Sequence, residues 1–225
     1  MTPARVEAER ERRPFVGTSD QPIGSWLEEL GSGSPTPGGG AAAGVAAATG
    51  AALIAMVGHL TIGKEGLEDL DGRMRSMVET ADGERRAFLA LADEDAAAFE
   101  SVMASFRLPK ETDEEKAART LKIQEAYEAA AAVPLQLAAG AVKLMELAED
   151  ATALGNPHAA SDGYSAGTLL YAAALSAMAN VRINAAGLKD RSKGQGLVDE
   201  CDILRERADT LLQQIEEAFL LRLAT

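Results

Sequence analysis

The stretch that decides the fold is GGGAAAGVAAATGAALIAMVGHLTI, residues 38–62. Neither it nor the longer segment over 30–63 contains Asp, Glu, Lys or Arg. Gly and Ala dominate its first two thirds and contribute little transfer free energy to a membrane. We therefore expect a buried central helix over 40–62 rather than a transmembrane helix. Gly40, Gly44 and Ala48 recur every fourth residue, which lets another helix approach closely.

The composition of the whole chain favours an all-α fold. Only 4% of the 225 residues are aromatic, alanine is abundant, and β-branched residues are too scattered to form strands. We expect a single-domain bundle of about six to nine helices over 17–225, after a disordered leader over 1–16. The N-terminus lacks a signal-peptide pattern, so a cytoplasmic location is expected.

The charges argue against several classes of partner. With 22 Lys and Arg against 35 Asp and Glu, the formal net charge is −13. Such a field opposes binding to nucleic acids and anionic membranes, so we expect neither. Cys201 is the single cysteine, and His59 and His158 lie far apart in the sequence. No metal-ligand spacing is present, and no metal site is expected.

Periodicity predicts two helices around the central one. A short amphipathic helix is expected over 23–30. A longer pattern over 67–106 is interrupted once, which predicts a break near Gly83.

Capping signals place the remaining helices. A capping box at 112–115 starts a helix to about 132, and Pro134 is expected to kink or restart the chain before a helix that ends at 154. Ser161 or Asp162 is expected to cap the next helix, to about 187. A loop over 189–196 then leads into the final helix.

Asp95 occupies an apolar position on the helix over 67–106. Between 88 and 106 the apolar residues follow at alternating steps of four and three, and Asp95 takes one of their places. Asp93 lies about 200° around the helix from Asp95 and is expected to be solvated. A desolvated Asp95 carboxyl would have a raised pKa, which suits a general acid. The alternative is an aspartate that bonds a neighbouring helix or a cap.

Six short motifs stand in order along the chain. They are SPTPGGG at 34–40, HLTIGK at 59–64, DEDAAAF at 93–99, LPK at 108–110, GNPHAASD at 155–162 and NVRIN at 180–184. Together they resemble the formiminotransferase-cyclodeaminase family, in its cyclodeaminase domain and its stand-alone bacterial cyclodeaminase and cyclohydrolase proteins. The resemblance extends over 26–190. His59 departs from the small or amide residue more often found there, so no role is assigned to it.

The resemblance implies an all-helical homodimer that acts on tetrahydrofolate carrying a one-carbon unit, with no cofactor beyond that substrate. In cyclodeamination N10 attacks the formimino carbon on N5, and ammonia leaves once it is protonated. Asp95 aligns with the proton-donating aspartate of the family. We expect a formimidoyltetrahydrofolate cyclodeaminase. The alternatives are a methenyltetrahydrofolate cyclohydrolase, where water adds to the same carbon, and a non-catalytic helical folate-binding or scaffold protein.

Eight further residues in or beside the motifs are expected to bind the substrate. The glycine loop permits close approach to a ring or a carboxylate, carboxyl and amide groups match the pterin edge, and lysines attract the glutamate tail. For the two asparagines a buried polar network is an equal alternative. The eight are Ser34, Gly38, Gly39, Lys64, Lys110, Asp162, Asn180 and Asn184.

The glycine loop and Lys64 lie at opposite ends of the predicted central helix. A helix over 40–63 rises about 34 Å, so the two cannot contact one pterin within a single chain. Two antiparallel copies of this helix across a dimer would bring the loop of one subunit towards the lysine of the other. We therefore expect a homodimer with its sites near the interface.

Overall fold

The computed structural model describes residues 17–224, and within them the chain forms six α-helices and no strand. The expected all-α, single-domain fold is confirmed, and the predicted leader over 1–16 lies outside the described residues. The helices are α1 (Ile23–Leu30), α2 (Gly39–Thr61), α3 (Asp71–Phe106), α4 (Asp113–Leu154), α5 (Ala160–Ala186) and α6 (Arg191–Leu223), with 3-10 turns over Glu68–Leu70 and Pro157–Ala159.

Helix α2 is the buried centre of the bundle, as predicted. It packs between α3 and α5. A Cβ added to Gly44 would lie 2.7 Å from the carbonyl oxygen of Phe88 on α3, and one added to Gly50 would lie 2.9 Å from Cγ of Leu170 on α5. Glycine therefore sets the close approach of both neighbours. By length and composition alone α2, α4 and α5 could each span a membrane, but in this structure their apolar residues pack together into one core.

Helix α3 continues through Gly83, so the predicted break is wrong. A Cβ added to Gly83 would meet nothing within 4 Å. Asp82 and Arg85 form an ion pair at 3.1 Å across one turn and face solvent. Polar residues interrupt the apolar pattern here without disturbing the backbone, because an i, i+3 ion pair is compatible with a helix.

Helix α4 also runs unbroken through Pro134, where a kink or restart was expected. Proline has no N–H to donate to the carbonyl oxygen of Ala130, one turn earlier. The side-chain amide of Asn184 on α5 donates to that oxygen at 2.7 Å. The neighbouring helix therefore satisfies the carbonyl that the proline leaves without an intrahelical partner.

The two helix starts predicted after α4 differ from the structure. Neither Ser161 nor Asp162 caps α5, because Asn156 caps the 3-10 turn that leads directly into that helix. Helix α6 begins inside the predicted loop over 189–196. The side chain of Asp190 accepts hydrogen bonds from two first-turn N–H groups and so starts the helix early.

Helix α2 is antiparallel to both α3 and α5, so the bundle has two distinct ends. Gly44 of α2 contacts α3 beside Phe88, whereas Gly58 contacts it near Met74. We call the end where α2 begins, at residues 38–40, the glycine end, and the end where α2 stops, next to Lys64, the lysine end. The last turns of α3 and α5 point towards the glycine end.

Candidate functional site

The carboxyl of Asp95 lies against the first turn of α2 at the glycine end. It accepts a hydrogen bond from the backbone N–H of Ala41. A Cβ added to Gly40 would overlap all three carboxyl atoms of Asp95. The first N–H groups of a helix have no intrahelical partner, and here a carboxyl from α3 takes one of them. Gly40 is therefore the residue that lets this carboxyl reach the helix terminus.

Burial raises the pKa of Asp95 above its ordinary value, and the hydrogen bond from Ala41 partly opposes that rise. Helix α1 contributes to the burial, since Trp26 is 4% exposed and packs with Ala41 and Ala92. The desolvation expected from the apolar position of Asp95 is present. A carboxyl in this state holds its proton more readily than a solvated aspartate, and can exchange it with a bound substrate.

Asn180 lies beside the same helix terminus. Its Nδ2 lies 3.7 Å from where a Cβ on Gly39 would be, and it donates to the carbonyl oxygen of Ser176 on its own helix at 2.9 Å. The Asn180 side chain is half-buried. Its carbonyl oxygen has no hydrogen-bond donor among the described residues, so it is available to a ligand.

The loop before α2 carries the two other residues predicted there. Gly38 stands at the N-cap position of α2 in extended backbone. The hydroxyl of Ser34 donates to the carbonyl oxygen of Thr36 at 2.7 Å, so it stabilises the loop. Substrate binding by Ser34 stays a prediction, and in this structure its donor is already engaged.

Asn184 and Lys110 lie further out at the glycine end. The amide of Asn184 donates to Ala130 on α4, which is the polar network that was the alternative to ligand binding. Lys110 is exposed in the turn between α3 and α4. Phe106, at the end of α3, is 11 helical steps from Asp95, or about 16 Å, so Lys110 could contact only a distant part of a substrate bound at Asp95.

The structure does not bring Lys64 or Asp162 to Asp95. Lys64 follows α2 at the lysine end, and Asp162 lies in the first turn of α5 at the same end. The 23 residues of α2 separate this end from the glycine loop by about 33 Å. Within one chain the predicted binding residues thus form two groups.

Asp93 is not solvated as expected. Its carboxylate accepts hydrogen bonds from the backbone N–H of Thr18 at 3.0 Å and from the Thr18 hydroxyl at 2.6 Å. The helical geometry was right, but the segment before α1 folds back over that side of α3. Asp93 therefore anchors this segment beside the site.

Two features of the site were not predicted. The sequence pointed to the glycine loop, but it did not identify Gly40 as the position that faces Asp95 or Ala41 as the N–H donor. Two sequence features together could have identified them: a carboxyl at an apolar position of one helix, and glycines at the start of the helix that packs against it. Among residues 17–224 no three His, Cys, Asp or Glu side chains are grouped as metal ligands would be.

Comparison with known proteins places the chain in one family. Residues 22–203 match the family described as formiminotransferase-cyclodeaminase. The methenyltetrahydrofolate cyclohydrolase of Methylorubrum extorquens is 40% identical, over 88% of this chain and 95% of its own length. The formimidoyltransferase-cyclodeaminase of Sus scrofa is 35% identical over 91% of this chain, which spans 36% of that protein.

A solved structure agrees. The crystal structure of formiminotetrahydrofolate cyclodeaminase from Thermotoga maritima superposes with a TM-score of 0.80 at 27% identity, covering 89% of this chain and 96% of the other. The resemblance noted in the motifs is thereby confirmed over most of the helical bundle. The chain belongs to the formiminotransferase-cyclodeaminase family and is an enzyme of the cyclodeaminase or cyclohydrolase type that acts on tetrahydrofolate derivatives.

Proposed function

We propose that this enzyme is a methenyltetrahydrofolate cyclohydrolase, which opens 5,10-methenyltetrahydrofolate with water to give 10-formyltetrahydrofolate. The observation that carries the proposal is the 40% identity to the Methylorubrum extorquens cyclohydrolase along nearly the whole of both chains. The cyclohydrolase is therefore the first candidate, whereas a cyclodeaminase was expected from the sequence, with the cyclohydrolase as an alternative.

The chemistry requires one group that exchanges a proton beside the bridging carbon. As water adds to that carbon, the Asp95 carboxylate takes a proton from it, leaving a neutral carbinolamine. The carboxyl then gives this proton to N5, the bond between N5 and the carbon breaks, and the hydroxyl loses its proton as the formyl C=O forms. One water is consumed and one proton is released. The half-buried carboxyl on the helix terminus is suited to both transfers because its pKa is raised.

Cyclodeaminase activity is the second candidate. The superposition on the Thermotoga maritima cyclodeaminase favours it, and the same carboxyl would protonate the amino group that departs as ammonia. The two reactions need opposite starting states of Asp95. Hydrolysis begins with the carboxylate and should accelerate as pH rises through its pKa, whereas cyclodeamination begins with the carboxylic acid and should slow over the same range.

The near-ultraviolet absorption of the methenyl form distinguishes the candidates. Loss of the band faster than spontaneous hydrolysis indicates the cyclohydrolase. Appearance of the band from 5-formiminotetrahydrofolate, with ammonia release, indicates the cyclodeaminase. If neither substrate changes, both activities are excluded and a folate-binding role is left.

The substitution Asp95→Asn tests whether the Asp95 carboxyl transfers the proton. We expect the catalysed rate to fall by about 100-fold or more, the usual contribution of a general acid or base. Glu94→Gln, at the exposed neighbouring position, is the matched control and should keep its activity. Full activity in Asp95→Asn would remove the carboxyl from the mechanism.

We further propose that two chains form each site. The two groups of binding residues lie about 33 Å apart in one chain, and two antiparallel copies of α2 would bring Lys64 of one chain towards Asp95 of the other. The outer face of α2 is accessible and carries no Asp, Glu, Lys or Arg. Its residues recur at alternating steps of four and three, as in a helix-pairing seam, and are Val45, Thr49, Ala52, Met56 and His59.

A groove of about 460 Å³ lies between this face and α3, lined in part by Met56, Leu60 and Arg85. Met56 is 38% exposed and Leu60 48%. A second copy of α2 would cover both side chains. The proposal also includes a cytoplasmic location and no cofactor beyond the tetrahydrofolate substrate.

A further inference from the structure

Phe99 stands one turn beyond Asp95 on α3 and is 37% exposed. Residues four apart share a helix face. Side chains on a helix lean towards its N-terminus, so we expect the Phe99 ring over the turn that carries Asp95. This spacing places an aromatic residue on the same face of α3 as the carboxyl, at the glycine end.

Phe99 also differs from the other aromatic residues within 17–224. Trp26 and Phe88 are buried in the protein. The rest have a ring or cation partner: Phe106 with Tyr127 at 6.2 Å and with Arg119, Tyr164 with Phe219 at 4.9 Å, and Tyr171 with Arg205. In the described part of the chain, Phe99 alone combines exposure with the lack of such a partner.

The local sequence makes an exposed ring at this position informative. The residues between Asp95 and Phe99 are alanines, and the next residue is Glu100. A polar or small residue would serve the helix equally well on a surface turn. An exposed aromatic ring one turn from a half-buried carboxyl is explained if a planar ligand covers it, because ring stacking adds to simple apolar burial.

We propose that Phe99 is a substrate-binding residue whose ring packs against the planar pyrimidinone ring of the reduced pterin, and so holds the bridging carbon next to the Asp95 carboxyl. This role rests on the proposed function, in which the bridging carbon of a tetrahydrofolate derivative reacts beside Asp95. It assigns the pterin, rather than the aminobenzoyl group, to the turn at Asp95.

The test compares Phe99→Leu and Phe99→Trp with wild type. Turnover of 5,10-methenyltetrahydrofolate gives kcat and KM, and 6-methyltetrahydropterin and p-aminobenzoylglutamate serve as separate inhibitors that report the two halves of folate. We expect Phe99→Leu to raise KM and weaken inhibition by the tetrahydropterin by about 10-fold, the typical effect of one stacked ring. Inhibition by p-aminobenzoylglutamate should not change. Phe99→Trp should retain the inhibition by the tetrahydropterin.

Phe106→Leu is the matched control, since it removes a phenylalanine of similar exposure on the same helix. It should leave tetrahydropterin inhibition at the wild-type level. Unchanged inhibition in Phe99→Leu, or equal weakening of both inhibitors, would overturn the role of Phe99. If the wild-type enzyme neither turns over a folate nor binds either fragment, the proposed function fails instead.

Discussion

The position and the desolvation of the Asp95 carboxyl depend on neighbours with small or no side chains. Gly40 has no side chain to keep the carboxyl away from the start of α2, and Ala41 offers an N–H without a polar side chain that would solvate the site. The carboxyl is therefore at once hydrogen-bonded and desolvated. The hydrogen bond keeps it in one place while desolvation raises its pKa, and the proposed proton transfers require both.

Gly40→Ala should separate the position of this carboxyl from the stability of the fold. The added methyl overlaps the end of a side chain rather than backbone, so Asp95 can rotate away at modest cost to folding. It then loses the N–H of Ala41, and we expect activity to fall about 100-fold.

Steady-state kinetics together with thermal unfolding would measure both effects. Gly33→Ala, in the loop before α2 with nothing within 4 Å of its added Cβ, is the control and should behave as wild type. Wild-type kcat in Gly40→Ala would contradict the role given to this contact.

Asp95→Asn should change the pH dependence of stability. A carboxyl whose folded-state pKa is raised above 3.8 stabilises the fold fully below that value, and the contribution is lost as pH rises through the raised pKa. Wild type should therefore lose stability relative to Asp95→Asn as pH rises from below 3.8 through the raised pKa of Asp95. Urea unfolding at several pH values measures the difference, and Glu94→Gln should not produce it. Parallel stability curves for wild type and Asp95→Asn would mean that burial does not disfavour the charged form.

At the level of whole helices, the crossing of α4 and α5 depends on a side chain that substitutes for a missing backbone donor. Pro134 leaves the carbonyl oxygen of Ala130 without an intrahelical hydrogen bond, and Asn184 supplies one from the neighbouring helix. This explains both the unbroken α4 and an asparagine in an alanine-rich helix. It also assigns Asn184 a part in helix packing that needs no ligand.

A double-mutant cycle tests this interpretation. Asn184→Ala should reduce the free energy of unfolding by about 1–3 kcal/mol, because the Ala130 carbonyl is left without a donor. In the Pro134→Ala background the new N–H bonds that carbonyl, so the same mutation should cost clearly less. Denaturant titrations of the four proteins give the coupling free energy. An equal cost in both backgrounds would show that Asn184 does not compensate for the proline.

Across the whole molecule, the charge distribution and the helix directions frame the substrate site. The net charge of −13 opposes an anionic folate, so a few cations must attract the glutamate tail locally. Of the two lysines predicted for this task, Lys110 lies at the glycine end and Lys64 at the other. In the proposed shared site, Lys64 of one chain would lie near Asp95 of the other chain.

Subunit mixing tests the shared site. Asp95→Asn and Lys64→Ala should each be poorly active alone, while a refolded mixture should recover up to about a quarter of wild-type activity, because half of the dimers are mixed and one of their two sites is intact. Sedimentation checks that the dimers form. A mixture of Asp95→Asn with the Asp95→Asn/Lys64→Ala double variant is the control and should stay inactive. An active monomer, or mixed dimers without recovery, would contradict the proposal.

The sequence by itself determined the helical fold, the buried central helix and the family. The helical fold and the central helix follow from local composition and periodicity, including the Gly- and Ala-rich residues of α2. The family follows from the resemblance of six short motifs. The tertiary structure decided which glycine faces Asp95, that Asn184 bonds Ala130, and that Thr18 covers Asp93. Each of these contacts joins residues more than 50 positions apart, so it depends on the packing of separate segments, which local patterns do not specify.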